Sequence, residues 1–372
     1  MNVVVIGGGV VGLSVAYNLA RAGAEVTVFE RKYPLYGASG RNSGGITPLL
    51  SNESLIKLAA RSIELYDHIQ SEVDFNFLFR KDGYIKVAQN DEDLSVLERE
   101  MRLQKAAGVD VREIDPFEIR SIVPAFNPES VIGGVIGEGG VIFPWPVIWG
   151  LVKGCKNLGV EIRVEAEVNG ILIGDGEVEG VKVNDEVVRA DYIVNAAGAW
   201  SNQFSNLAGI KSENRVIKEE ICVIESLKPF IDPYLLNVSN GVYLSQSARG
   251  EVVGGVLGRE TGVDNALGVK NLNTKSSLEF LFRYAKGAVE MIPRLRGLSV
   301  LRQWAGVYDT GQDGFPVVGE SQIRGFIQAN GMGRLGMTIG PAVGEIVAQV
   351  IFKGSGMEEF SPIRFSSDGF KN

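Results

Sequence analysis

The chain has 372 residues, 45% hydrophobic and 22% charged, enough apolar material for a sizeable core spread over about two domains. Its net charge of −8 argues against nucleic acid and anionic membrane surfaces as partners. The two cysteines, Cys155 and Cys222, are far apart and outside any CxxC pair, which points to a reducing, cytoplasmic setting without a structural disulfide or zinc site.

Residues 1–31 carry the most information. A β-rich run at 3–6 predicts a buried strand, and the chain turns at Gly7, Gly8 and Gly9. Val11, Val15 and Leu19 then mark one face of a helix that stops near Gly23, and a second strand at 25–29 leads into Glu30. This order of strand, Gly-x-Gly-x-x-Gly, helix, strand and acid is the dinucleotide-binding fingerprint. Gly7 allows the tight turn, Gly9 lets backbone approach a pyrophosphate at the helix N-terminus, and Gly12 lets helix and strand pack closely. Glu30, 18 residues after Gly12, can accept from a ribose 2′-hydroxyl and would repel the 2′-phosphate of NADP. FAD and NAD both remain open from this stretch.

A loop dense in glycine and serine follows, with Arg41 and Asn42, and then a helix is predicted at 53–72. It holds the only histidine, His68, which by itself makes neither a metal site nor a triad. A strand at 83–88, a charged surface helix at 91–107, a short strand at 110–114 and a helix opened by Pro116 come next. Residues 139–159 read as strand or loop and then helix. Short strands after 160 turn at 174–176 and 184–185 and end in a buried strand at 192–195. A β-rich insert at 215–300 has one helix at 275–289. The final helix, at 337–352, stops at Gly354. No run of 18 uninterrupted apolar residues occurs and no basic segment precedes the first apolar run, so neither a membrane-spanning helix nor a signal peptide is expected.

The opening fingerprint, together with GASGRNSGG at 37–45, AEVNGI at 166–171, VNAAGAWS at 194–201, WAGVYDTGQDGFPVVG at 304–319 and NGMGRLGMTIGPAVGE at 330–345, resembles the D-amino-acid-oxidase-like FAD-dependent family. Glycine oxidase, sarcosine oxidase with its multi-subunit β chain, and archaeal dye-linked proline dehydrogenases are of this type. The resemblance implies an α/β fold in which a Rossmann-like FAD-binding domain of glutathione-reductase type (1–82, 139–214 and 301–372) is interleaved with a β-rich substrate-binding domain (83–138 and 215–300).

The same resemblance implies where the cofactor lies. The nucleotide half is expected against Gly7, Gly9, Val10, Val11, Gly12, Glu30 and Arg31, with the main chain of Val168 at the adenine. Ser39, Arg41, Asn42, Ser43 and Gly44 are expected beside the pyrophosphate and flavin edge, and Ala197, Gly198, Trp200 and Gly306 where the chain turns past the cofactor. Gly331, Gly333, Arg334, Leu335, Gly336 and Met337 are expected to aim the last helix at the flavin pyrimidine, where its dipole favours negative charge. Arg334 is expected to grip a substrate carboxylate with help from Tyr243, and Tyr308 stands where relatives of glycine-oxidase type carry a second arginine. No metal is expected.

No cysteine follows WAGVYD at the point where covalent-flavin relatives attach FAD, so the FAD is expected to be non-covalent. GEVVGGVLG at 250–258 lacks the lysine that some sarcosine oxidases place over the flavin, which favours a dehydrogenase passing electrons to a quinone, dye or partner flavoprotein, peripheral to a membrane in that case. The expected reaction is hydride transfer from a small amino acid or secondary amine such as proline, sarcosine or glycine, with no carboxylate poised as a base. A 2-hydroxy-acid or glycerol-3-phosphate-like dehydrogenase, and an FAD-holding relay subunit of a hetero- or homo-oligomer, are the alternatives.

Overall fold

The structure, a computed structural model, describes residues 1–257, 261–262 and 274–365. Gly258, the last residue of the 250–258 stretch, lies outside them.

Strand Asn2–Ile6 is the centre of a six-stranded sheet. It pairs in parallel with Glu25–Phe29 on one side and Tyr192–Asn195 on the other. Glu161–Arg163 and Phe326–Asn330 extend the sheet in parallel, and Val317–Glu320 closes one edge antiparallel to Phe326–Asn330. Val3, Val4, Val5 and Ile6 are all buried, as a strand covered on both faces requires.

Helices Val10–Arg21 and Gly336–Lys353 pack on this sheet and against each other. Gly340 lies against Val10 and Val11, and Gly344 against Ser14 and Asn18, so the two helices run parallel with their N-termini at the same end. A Cβ on Gly344 would fall 2.5 Å from the Ser14 carbonyl oxygen, a distance no side chain tolerates. The second of these helices, with the short turn before it, is long and apolar enough to cross a membrane by composition, but most of it is buried inside the protein. It ends at Gly354 in a left-handed conformation, the usual C-terminal stop.

Pro341 sits inside this helix and has no N–H for the Met337 carbonyl one turn back. The hydroxyl of Tyr66, on helix Glu53–Glu72, donates to that carbonyl at 2.6 Å, and Ser62 Oγ on the same helix accepts from Ala342 N at 3.1 Å. The neighbouring helix thus satisfies the groups that the proline disturbs. Burial drives the Tyr66 pKa upward, so the hydroxyl keeps its proton.

The second sheet has nine strands. Tyr84–Ala88, Val111–Ile114, Gly133–Gly137 and Tyr234–Asn237 form one side, and Arg215–Ser226, Val242–Gln246 and Glu251–Val256 the other. Strand Val300–Thr310 pairs antiparallel with Arg215–Ser226 over nearly its whole length. Sequence reading grouped residues from 301 onward with the cofactor-binding segments because glycine-rich character returns there. The hydrogen-bond ladder ties this strand to the second sheet, and only its far end reaches the first. The two expected turns form: Asp175 and Gly176, then Asn184, take positive φ in a three-stranded antiparallel sheet. The helix expected at 275–289 is Leu278–Met291; the Ser277 side chain caps it by accepting from Phe280 N.

The Tyr66 bond gives a direct test. Tyr66→Phe leaves the Met337 carbonyl buried without a donor and should destabilise the protein by about 1–2 kcal/mol, measured by urea unfolding. An unchanged midpoint would show that the Met337 carbonyl is satisfied some other way.

Candidate active site

The glycine turn is shaped by backbone contact. A Cβ on Gly7, whose φ is +112°, would meet the Ala196 carbonyl oxygen at 2.5 Å, and one on Gly12 would meet the Gly7 oxygen at 2.0 Å. The turn therefore sits on the end of strand Tyr192–Asn195. Glu30 closes the other side: one carboxylate oxygen accepts from Gly8 N and the other from Lys32 N, both at 2.9 Å. Burial raises the Glu30 pKa, against these two bonds. Gly9 precedes helix Val10–Arg21 without a side-chain cap, and the Ser39 hydroxyl accepts from Val10 N at 3.0 Å.

A cavity opens on this turn, lined among others by Gly7, Gly9, Val11, Glu30, Arg31, Val168, Ala197, Gly198 and Trp200. The Arg31 guanidinium lies 4.0 Å from the Trp200 ring centroid, a cation–π contact. Trp200 Nε1 is buried without a hydrogen-bond partner, and buried N–H groups without partners are rare in finished sites. The uncapped helix end, the close glycine cradle and this unsatisfied indole fit a bound dinucleotide.

A second cavity continues from the first, and the two share Val10, Ser39, Tyr308, Gly333 and Gly336 in their walls. Arg41, Asn42, Ser43, Gly44, Gly306, Arg334, Leu335, Met337 and Tyr243 line it further on. Of the site residues expected from sequence, only Gly12 and Gly331 line neither cavity: Gly12 packs beneath the first turn, and Gly331 donates its N–H to Asp309 at 2.9 Å. The Ser39–Gly44 loop is held by its own bonds. Asn42 donates to the Ser39 carbonyl at 2.6 Å and accepts from Gly44 N at 2.8 Å, while the Arg41 guanidinium donates to the Tyr36 carbonyl. Trp304 Nε1 donates to the Arg41 carbonyl at 3.1 Å, fixing the loop to the second sheet.

Arg334 lies in the short turn Gly333–Leu335 just before the last helix. Its Nε donates to Glu219 Oε2 at 2.6 Å. The Tyr308 hydroxyl donates to the same oxygen at 3.1 Å, and the Tyr243 hydroxyl to Oε1 at 2.9 Å. All three residues expected to contact substrate thus converge on one carboxylate. The sequence reading did not single out this carboxylate, which is committed to three donors rather than left open as a base. The signal was an acid in the middle of strand Arg215–Ser226, flanked by buried Ile217 and Ile221. Burial works against the Arg334 charge, but the Glu219 carboxylate beside it raises the guanidinium pKa overall. The Tyr243 hydroxyl is pushed well up, first by burial and then by Glu219.

Tyr243 is itself held in a stack. The Tyr84 and Tyr234 rings lie 4.6 Å apart and the Tyr234 and Tyr243 rings 5.8 Å apart, both nearly parallel. The Tyr234 hydroxyl is 2.9 Å from Ser43 Oγ, and a Cβ on Gly45 would meet the Tyr234 ring at 2.6 Å.

Sequence reading also missed a polar cluster at the wall of the first cavity, which Asp309 and Asn330 line. Buried Asp309 accepts through Oδ2 from Ser201 Oγ at 2.8 Å, Asn214 Nδ2 at 3.0 Å and Gly331 N at 2.9 Å. Asn214 also donates to Asn330 Oδ1 at 2.9 Å, and Asn195 donates to Gln328 Oε1 at 3.0 Å. These bonds join the ends of Tyr192–Asn195, Val300–Thr310 and Phe326–Asn330, from which the cavity-lining turns emerge. Burial raises the Asp309 pKa, against its three donors.

Asp309→Ala should cost about 3 kcal/mol, since it strands three buried donors. Asp309→Asn can keep one acceptor at the Oδ2 position and should cost less. The native state holds the Asp309 proton more tightly than the unfolded chain. Its stabilising contribution is therefore fully present below the unfolded pKa of about 3.9 and is lost as pH rises through the folded value. Unfolding curves at stepped pH should show the parent losing stability relative to Asp309→Asn across that window; parallel curves would contradict the assignment.

Comparison with known proteins fits this geometry. A family profile described as FAD dependent oxidoreductase matches residues 2–350. The β subunit of sarcosine oxidase from Rhodobacter capsulatus is 26% identical, over 99% of this chain and 89% of that one. L-proline dehydrogenase from P. horikoshii superposes with a TM-score of 0.91 at 30% identity, covering 98% of this chain and 97% of that one. Glycine oxidase from Geobacillus kaustophilus shares the fold, with a TM-score of 0.86 at 20% identity and coverage of 96% and 97%. The chain belongs to the FAD dependent oxidoreductase family and is an FAD-binding oxidoreductase with a Rossmann-like domain and a second, β-rich domain.

Proposed function

We propose that the protein oxidises a small amino acid or secondary amine, of the proline, sarcosine or glycine kind, and acts as a dehydrogenase rather than an oxidase. The observation that carries this reading is Arg334, which lines the second cavity just before the N-terminus of the last helix and bonds Glu219 through Nε. Among the described residues, Nη1 and Nη2 meet no hydrogen-bond acceptor, which leaves a fork for a carboxylate. The sarcosine oxidase and proline dehydrogenase likenesses support a substrate of this class.

When bound, FAD supplies a hydride acceptor at N5. The chain supplies the rest. Arg334 fixes the plane of the carboxylate and thereby the face of the α-carbon offered for reaction. The substrate nitrogen first gives up its extra proton to water; its lone pair then moves into the new C=N bond as the α-hydrogen leaves with its electron pair, and water hydrolyses the iminium product. The uncapped N-terminus of helix Gly336–Lys353, with no acid in its first turn, favours negative charge beside it. The absence of lysine from 250–258 supports electron transfer to a quinone, dye or protein partner instead of oxygen. The likeness to a protein named as a subunit supports assembly with other chains.

Anaerobic titration with proline, sarcosine, glycine, D-amino acids, lactate and 2-hydroxyglutarate should bleach the flavin with an amino acid or secondary amine. Bleaching by hydroxy acids alone would replace this reading with a 2-hydroxy-acid dehydrogenase. Arg334→Ala should retain FAD and raise KM for the bleaching substrate roughly 10- to 100-fold; an unchanged KM would remove Arg334 from the clamp. We also infer that FAD is held without a covalent bond, so acid precipitation should leave all yellow colour in the supernatant, and colour in the pellet would refute this.

A further inference from the structure

We infer that Glu219 reads the substrate nitrogen, so that the site is matched to the paired charges of an amino or imino acid rather than to a carboxylate alone. The inference rests on the proposed function and names the group that selects its substrate class. Glu219 is the one acid among the residues lining the second cavity, and its side chain retains 14% exposure there.

A phenol has a single proton to donate. Tyr243 and Tyr308 both commit theirs to Glu219. Neither can then donate to a substrate carboxylate while Glu219 keeps its place, and what both offer the cavity is acceptor lone pairs. Glu219 is itself acceptor-only when ionised. This side of the cavity is therefore acceptor-rich and carries a negative charge. The complementary ligand group is one with N–H donors, a protonated or neutral amine. The carboxylate must be met elsewhere, and the Nη edge of Arg334 is the adjoining donor.

Glu219 also orders the arginine. Its bond to Nε occupies the side edge of the guanidinium and leaves the Nη1–Nη2 edge for the carboxylate. A bare carboxylate ligand meets the attraction of Arg334 together with the repulsion of Glu219. An amino acid meets attraction at both ends. The backbone keeps Tyr243 close: a Cβ on Gly255 would fall 2.4 Å from its hydroxyl oxygen.

The test compares two ligands of one shape. The amino acid that bleaches the flavin is paired with the carboxylate in which oxygen replaces its nitrogen. That is tetrahydrofuran-2-carboxylate for proline, methoxyacetate for sarcosine, or the 2-hydroxy acid for a primary amine. Dissociation constants are measured anaerobically by calorimetry on the FAD-loaded protein with its flavin reduced beforehand, so that neither ligand can react. The unmodified protein should bind the amine at least about tenfold more tightly. In Glu219→Gln, which keeps shape and removes charge, this ratio should collapse towards one, with binding of the oxygen ligand unchanged or improved.

Equal weakening of both ligands would overturn the inference, since a residue that only props Arg334 affects the carboxylate common to both. A ratio near one in the unmodified protein would also overturn it, and that measurement does not depend on the variant folding. If no amine bleaches the flavin of the unmodified protein, the proposed function fails first and the inference with it. Bleaching with an unaltered ratio in Glu219→Gln removes the inference alone.

Discussion

The buried carboxylate of Asp309 is the constraint on which the site depends. It lies on Val300–Thr310, a strand of the second sheet, yet its three donors come from elsewhere. Ser201 follows the turn past the first cavity, Asn214 leads into the strand that carries Glu219, and Gly331 opens the loop that carries Arg334. One oxygen atom thus joins the segments that shape both cavities. A carboxyl group buried this deeply is tolerated only when its polar atoms are met, so the geometry of the three donors is coupled. Moving any of the segments leaves the others unsatisfied.

The second organising feature is the pair of parallel helices. Their N-termini, at Val10 and Gly336, stand side by side in the wall shared by both cavities. Each brings unpaired backbone N–H groups and a partial positive charge, one beside the glycine turn and one beside Arg334. The glycines along their contact bring them close enough to serve one ligand from two points far apart in sequence. Tyr66 and Ser62 hold the second helix in place where Pro341 would otherwise leave it short of hydrogen bonds.

How much of this was legible in the sequence follows from how local each signal is. The fingerprint in residues 1–31 is short-range: glycine spacing, hydrophobic period and a terminal acid declare strand, turn, helix and strand without distant information. The helix end at Gly354 was marked by its glycine for the same reason. Arg334, Tyr243 and Tyr308 could be proposed individually through family resemblance. Their meeting point could not, because Glu219 is more than 20 residues from the nearest of them and looks like one acid in a run of charged residues, KEE. Asp309 is similarly disguised within YDTG, where an aspartate before a glycine reads as a turn residue. The pairing of Val300–Thr310 with Arg215–Ser226 depends on closure over some 80 residues, and no local pattern records which sheet a strand joins.

The two halves of the site are built from different materials, and this sets what sequence change can do to each. At Gly7, Gly12 and Gly344 backbone touches backbone, so an added carbon atom has nowhere to go. That half is closed to drift. The other half is made by the tips of Glu219, Tyr243, Tyr308 and Arg334. Three of these, Glu219, Tyr243 and Tyr308, sit on paired strands of the second sheet, where an exchanged side chain leaves the ladder intact. Exchanging one of these tips therefore reshapes the second cavity without touching the backbone contacts of the glycine turn. The scaffold separates what must be inherited from what is free to diverge.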